Sequence, residues 1–220
     1  MALTAHISSY KTQLIDVCFV VILLLFSFPN FEPDFNIGLD ATFRWAYNYL
    51  FAFDYNKLID LRYTYGPLGF LKVPVAIEHN FTIALLTYNL LKGFFVYQLL
   101  QLGKKYLTYI AYLLVFILGY FISIDQAIVG LVAVMCIGYF EYKRIIHYIV
   151  AVLISLLGFY IKPQIGINCF AMLFVLVALV TMREKNLRLS VRLVILGLVF
   201  IVSSSALVGR SVFYFFEFLY

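Results

Sequence analysis

IIHYIVAVLISLLGFYIKPQIGINCFAMLFVLVALVTM, residues 145 to 182, holds a single charged side chain, Lys162, and is bracketed by Lys143-Arg144 and Arg183. A bilayer core about 30 Å thick takes roughly 20 apolar residues per helix, so the stretch is long enough for two crossings. Pro163 divides them, because proline removes a backbone donor and biases the residue before it away from helix. Outward from this pair the pattern repeats, and the predicted spans are 14–28, 81–102, 106–124, 126–140, 145–161, 164–182 and 193–209. The expectation is an all-α, polytopic transmembrane bundle of about seven spans, built as one domain over residues 1–220.

Composition agrees. Apolar residues make up 65% of the chain and charged residues 12%, against about 25% charged in soluble proteins. A soluble fold would leave large apolar patches facing water. The net charge of +5 does not point to nucleic acid, because the basic residues sit at the ends of apolar runs rather than along one polar face. They read instead as topology signals. Lys104 and Lys105 follow the second span, Lys143 and Arg144 the fourth, and Arg183, Lys185, Arg188 and Arg192 the sixth, while the alternate turns carry only Asp125 and Lys162. Cytoplasmic loops concentrate Lys and Arg, so the amino terminus with Lys11 is expected in the cytoplasm and the segment 29–80 outside. This fits an inner-membrane protein.

The first span ends in Ser27-Phe28-Pro29, which lacks a small-x-small cleavage pattern and reads as an uncleaved anchor. At the other end SVFYFFEFLY, residues 211–220, has no polar stop, as if a further element began there. The expectation is an amino-terminal fragment of a longer protein. Cys18, Cys136 and Cys169 lie inside apolar runs and offer no disulfide framework, and His6, His79 and His147 lack the spacing of a local metal site.

Six of the eleven acidic residues lie in the segment 29–80. Segments of this length are commonly functional when a rigid scaffold holds them. Phe43, Ala46, Tyr47 and Leu50 recur at helical spacing, Asp40, Arg44 and Asn48 form an adjacent polar stripe, and Trp45, Tyr47 and Tyr49 are aromatics of the headgroup boundary. An amphipathic helix lying along the outer surface is predicted here. Asp40 has two readings, an N-cap of that helix or a general base that takes a proton from an acceptor hydroxyl. Arg44, one turn on, can pair with Asp40 or with a phosphate. Further along, DLRYTYGPLGFL, residues 60–71, contains Gly66-Pro67 and Gly69, which set a turn and permit close backbone approach. Its plain reading is a loop anchor packed by Tyr63, Tyr65 and Phe70.

Gly38-Leu39-Asp40, the aromatic helix, Asp60 and Thr64-Tyr65-Gly66-Pro67-Leu68-Gly69-Phe70-Leu71 together resemble bacterial membrane proteins related to the GT-C glycosyltransferases. That resemblance implies inverting transfer of a sugar from a polyprenyl-phosphate donor to a glycan or lipid acceptor on the external face. By its context Asp40 takes the place of the essential acidic residue of the first external loop, which activates the acceptor or, in some members, binds a divalent cation. The chain departs from the superfamily in having fewer spans and no soluble carboxyl-terminal portion. Arg44, Arg62, Tyr65, Gly66 and Lys162 are the substrate-binding candidates, the cations being those available to an anionic lipid phosphate. Lys162 reads equally as a lysine snorkelling from the outer end of a span. Lys92 falls near the middle of the second span, where an unpaired charge is costly, and Asp16 is its partner if the two depths match. The rival expectation is a non-catalytic membrane component, such as a transporter subunit or a lipid-binding scaffold.

Overall fold

A computed structural model describes residues 2–29, 39–54, 56, 58, 65–107, 109–185 and 187–208. Eight α-helices are present among them: α1 (Ala2–Phe26), α2 (Leu39–Phe53), α3 (Asn80–Leu107), α4 (Ile110–Phe121), α5 (Ile124–Tyr142), α6 (Ile145–Ile161), α7 (Pro163–Glu184) and α8 (Leu187–Val208), with a short 3-10 turn at Gly69–Leu71. The all-α expectation holds for these residues.

Each of the seven predicted spans overlaps a helix, but among the described residues four helices are long and apolar enough to cross a membrane: α3, α5, α7 and α8 up to Ala206. The apolar part of α1, Thr12–Phe26, is shorter, as are α4 and α6. The largest departure is α4, whose 12 residues rise about 18 Å rather than the 30 Å of a hydrocarbon core. Its predicted span, 106–124, is trimmed at both ends. Helix α3 runs on through Lys104, Lys105 and Tyr106. At the far end Ser123 starts a new helix, its hydroxyl accepting from the Gln126 N–H while Gln126 Oε1 accepts from the Ser123 N–H, the reciprocal capping box of a helix start.

Two polar contacts fix how α1 lies on α3. Asp16 meets Lys104 at 2.7 Å, and the Ser27 carbonyl accepts from Lys92 Nζ at 3.2 Å, so the two helices run antiparallel. Lys92 is therefore not the partner of Asp16. The two sit at different depths, and Asp16 instead accepts from Lys104, Gln101 and the Tyr112 hydroxyl. Asp16 and Lys92 are each only 1% exposed. The carboxylate is enclosed by three donors, as a buried charge requires.

Helices α5, α6 and α7 form the centre, with Ile128, Leu131, Val132, Ala151, Val152, Cys169 and Val180 fully or almost fully buried. Cys136 and Cys169 pack there as buried, unbridged thiols. At the periphery the pattern reverses. Along α8, Val194, Ile195, Leu198, Val199 and Val202 are about half exposed, and α4 buries only Ala111, Val115 and Gly119. Apolar side chains that face outward from the bundle in this number suggest association with a lipid bilayer.

The two ends of the bundle differ chemically. At one, Lys105 pairs with Glu141 at 2.8 Å and Lys143 with Glu184 at 2.6 Å, while Arg183 lies 4.6 Å over the Phe140 ring; the basic turns thus meet in space as the charge alternation required. At the other end lie α2, residues 65–80, and Lys72 paired with Asp125.

Lys92 and Tyr88 stand one turn apart on α3 and close the carboxyl ends of two neighbours. The ammonium donates to Ser27 O at the end of α1 and the Tyr88 hydroxyl donates to Ile122 O at the end of α4. Replacing Lys92 by Met should remove a donor to a half-buried carbonyl and lower stability in detergent by about 1–3 kcal/mol, read as a drop in thermal midpoint. Lys92→Arg, which keeps a donor, should recover part of that loss. An unchanged midpoint for Lys92→Met would show that the carbonyl finds another donor.

Candidate functional site

The candidate residues lie at the end of the bundle opposite the basic turns, and the break between α6 and α7 explains why. Lys162 leaves the helix with extended backbone, and its N–H bonds Gly158 O. Pro163 has no N–H, and the Ile165 N–H turns to Lys162 O. The last carbonyls of α6 thus lack the donors a continuing helix would bring. The segment after residue 65 supplies them: Gly66 N–H donates to Ile161 O at 3.0 Å and Leu68 N–H to Tyr160 O at 2.8 Å. Pro67 between them has no donor to satisfy.

This approach is possible only because residue 66 has no side chain. A Cβ there would stand 2.3 Å from Tyr160 O and 2.8 Å from its carbonyl carbon, inside any allowed contact. Gly69 is similarly closed in by Tyr65 Cβ at 2.6 Å. The Gly-Pro-Leu-Gly run is therefore a docking element for the end of α6, which is the plain anchor reading of these residues. It also brings Tyr65 to Lys162, whose ammonium lies 5.9 Å from the Tyr65 ring centroid, within cation–π range. Three of the predicted site residues, Tyr65, Gly66 and Lys162, are thereby neighbours.

Helix α2 is tied to the same place. The Tyr47 hydroxyl donates to Tyr65 O at 2.7 Å and the two rings meet edge-on at 5.8 Å. Phe51 packs on Phe70 with ring centroids 4.0 Å apart. Asn48, wholly buried, is the central clasp: its amide nitrogen donates to Arg44 O and Val73 O, its amide oxygen accepts from Val75 N–H, and its backbone carbonyl accepts from Asn80 Nδ2. One residue thus joins α2, the 73–75 stretch and the first turn of α3.

These contacts correct the reading of α2. Tyr47 is 1% exposed and Asn48 fully buried, so neither lies at a headgroup boundary or on a solvated polar stripe. The exposed ridge is Trp45, Tyr49 and Phe53, with the first two rings stacked at 4.7 Å. Asn48 was legible only as an amide embedded among aromatics, WAYNYLF.

The catalytic candidate falls at a defined backbone position. Helix α2 begins at Leu39, which puts Asp40 inside the first turn rather than at the cap before it; its side chain lies outside what the structure describes. Arg44 is half-buried. Arg62 and Asp60 lie outside the described residues. Positions 40, 44 and 47 follow the i, i+4, i+7 spacing of one helix face, and 47 is the position that meets Tyr65. Among the described residues no three His, Cys, Asp or Glu side chains gather as metal ligands.

No protein family matches the chain, and no curated protein or solved structure is detectably similar to it. The expected kinship with the GT-C glycosyltransferases therefore gains no support from these comparisons.

Gly66→Ala should cost about 1–3 kcal/mol through overpacking against backbone that cannot move aside, with loss of the two bonds that close α6. Lys162→Met touches none of these bonds and should shift stability by no more than about 0.5 kcal/mol. Thermal midpoints of the two variants in one detergent compare them directly; equal midpoints would refute the docking role of Gly66.

Proposed function

We propose that the chain is a multi-pass membrane protein with all seven apolar helices in the bilayer, the basic turns cytoplasmic, and residues 29–80 on the external side. The separation of the two ends supports this orientation, since the paired and unpaired Lys and Arg residues of 104–105, 143–144 and 183–192 gather at one end. The shorter helices α1, α4 and α6 are accommodated by local thinning and by flanking residues that reach the interface.

On this external end we infer a GT-C-like transfer of a sugar from a polyprenyl-phosphate donor. The observation that supports it is the docking of α2 onto the α6–α7 break: Tyr47 is held against Tyr65 and Tyr65 lies against Lys162, while positions 40 and 44 share the helix face of Tyr47 by their spacing. On this reading the Asp40 carboxylate and the cations Arg44 and Lys162 serve one reaction region at this end of the bundle. Asp40 takes the proton of the acceptor hydroxyl, and that oxygen attacks the anomeric carbon from the face opposite the phosphate. The bond from the anomeric carbon to the phosphate oxygen breaks, configuration inverts, and Arg44 and Lys162 hold the anionic polyprenyl phosphate that leaves. Each cation lowers the barrier by stabilising charge that grows on the leaving oxygen.

The competing reading is a non-catalytic scaffold, favoured by the structural duties of Gly66 and Asn48. The two separate in membranes supplied with a labelled polyprenyl-phosphate sugar. Asp40→Asn should lower transfer by about 10²-fold or more, the usual contribution of a general base, with unchanged insertion. Full transfer by that variant would eliminate the catalytic role.

Orientation is checked independently by cysteine accessibility. In intact cells a membrane-impermeant maleimide should label Trp45→Cys and spare Lys185→Cys. The reverse pattern would invert the topology and with it the site assignment.

A further inference from the structure

Between α6, α7 and α8 runs an open groove of about 570 Å³ whose lining is almost wholly apolar, formed among others by Tyr148, Phe170, Phe174, Ala178 and Val194, with Thr181 near one end. Along α7 it extends from Phe170 to Met182, a rise of about 18 Å. That is close to the thickness of one leaflet, half of a hydrocarbon core of about 30 Å. The groove thus begins at the basic end and stops near the midplane, the reach of a single acyl chain.

At its mouth stand Lys185 and Arg144, which, like Arg188 and Arg192 of α8, have no carboxylate within reach among the described residues. Lys104, Lys105, Lys143 and Arg183 each stand within 4.0 Å of a carboxylate. Lys185 closes α7 one turn beyond Thr181, its N–H bonded to Thr181 O, and Arg144 caps α6 one turn before Tyr148. Both are exposed, and among the described residues neither has an acidic partner. Positive charge without a counter-ion is thus concentrated where the groove opens.

We propose that this groove is a binding site for an anionic glycerophospholipid, one acyl chain lying between α6, α7 and α8 and the phosphate held by Lys185 and Arg144. The complementarity is twofold: an apolar trough of leaflet depth, and two uncompensated cations at the height of a headgroup. The proposal rests on the membrane assignment above and on none of the transfer chemistry.

Native mass spectrometry of the detergent-solubilised chain, titrated with phosphatidylglycerol and phosphatidylcholine of identical acyl chains, tests it. Wild type should retain phosphatidylglycerol preferentially. A cation near an anionic headgroup contributes a factor of roughly five, so Lys185→Gln with Arg144→Gln should reduce the preference roughly 25-fold. Ala178→Phe, which fills the trough from an exposed position, should weaken both lipids while leaving the thermal midpoint unchanged. Equal binding of the two lipids by wild type, or an undiminished preference in the double variant, would overturn the proposal. So would a dimer of the chain that Ala178→Phe dissociates, since the trough would then be a helix contact between copies. Recovery of the protein from cells without detergent would remove the membrane assignment itself.

Discussion

Helices that end inside an apolar bundle leave their last carbonyls without donors, and in lipid no water completes them. This chain ends three helices in that way at the same end of the bundle, and a specific donor meets each. Lys92 serves Ser27 O after α1, Tyr88 serves Ile122 O after α4, and the N–H groups of Gly66 and Leu68 serve Ile161 O and Tyr160 O after α6. Two of the donors come from α3, whose first two turns or so extend past α1 and α4. The others come from the segment that α3's overhang supports, since Asn80 at its first turn bonds Asn48 of α2. Helix α2 and the 65–80 segment are accordingly part of how the bundle closes, rather than an appendage to it.

Two buried charges show how the same environment imposes different solutions. Asp16 is enclosed by an ammonium, an amide and a phenol, because an anion removed from water requires donors on each lone pair. Lys92 has only neutral partners among the described residues: a carbonyl, the Tyr88 hydroxyl and the Tyr88 ring at 5.5 Å. A helix carboxyl terminus carries partial negative charge, so the end of α1 is itself a counter-charge for the ammonium. The lysine therefore stays near the depth where α1 stops, and the length of α1 sets the depth of Lys92.

What the amino-acid sequence disclosed follows from the range of each interaction. Helix positions were legible because apolar runs and basic turns are local signals; 145–161 was placed to the residue, since Arg144 and Pro163 bound it. The ends of α4 were not, because Ser123 and Gln126 compete for the helix start through a reciprocal side-chain bond that hydropathy does not register. Close approach at Gly66 was readable from residue type, whereas its target, the carbonyl of Tyr160, lies far along the chain. Asp16 and Lys92 were recognisable as buried charges, but their partners depend on the offset between antiparallel helices. Asn48 was the hardest case. An amide in an aromatic helix looks like part of a polar face, and only the arrival of residues 73–75 and 80 makes it a core residue.

The same long-range closure sets the chemistry available at the site. Because Gly66 must reach Tyr160 O, Tyr65 is carried to Lys162; because Tyr47 and Asn48 lock α2 to that segment, positions 40 and 44 are carried there too. Their relative placement is thus a consequence of satisfying helix-end carbonyls, and a substitution that loosens the closure moves every candidate group at once. Substitutions at Asp40 or Lys162 alter charge without opening those bonds, whereas changes at Gly66 or Asn48 alter the bonds first. A loss of function at Gly66 therefore carries no information about catalysis, while a loss at Asp40 in a fully folded protein does. The residues that build this end of the bundle and the residues proposed to act on a substrate there stand only a turn or two apart on α2.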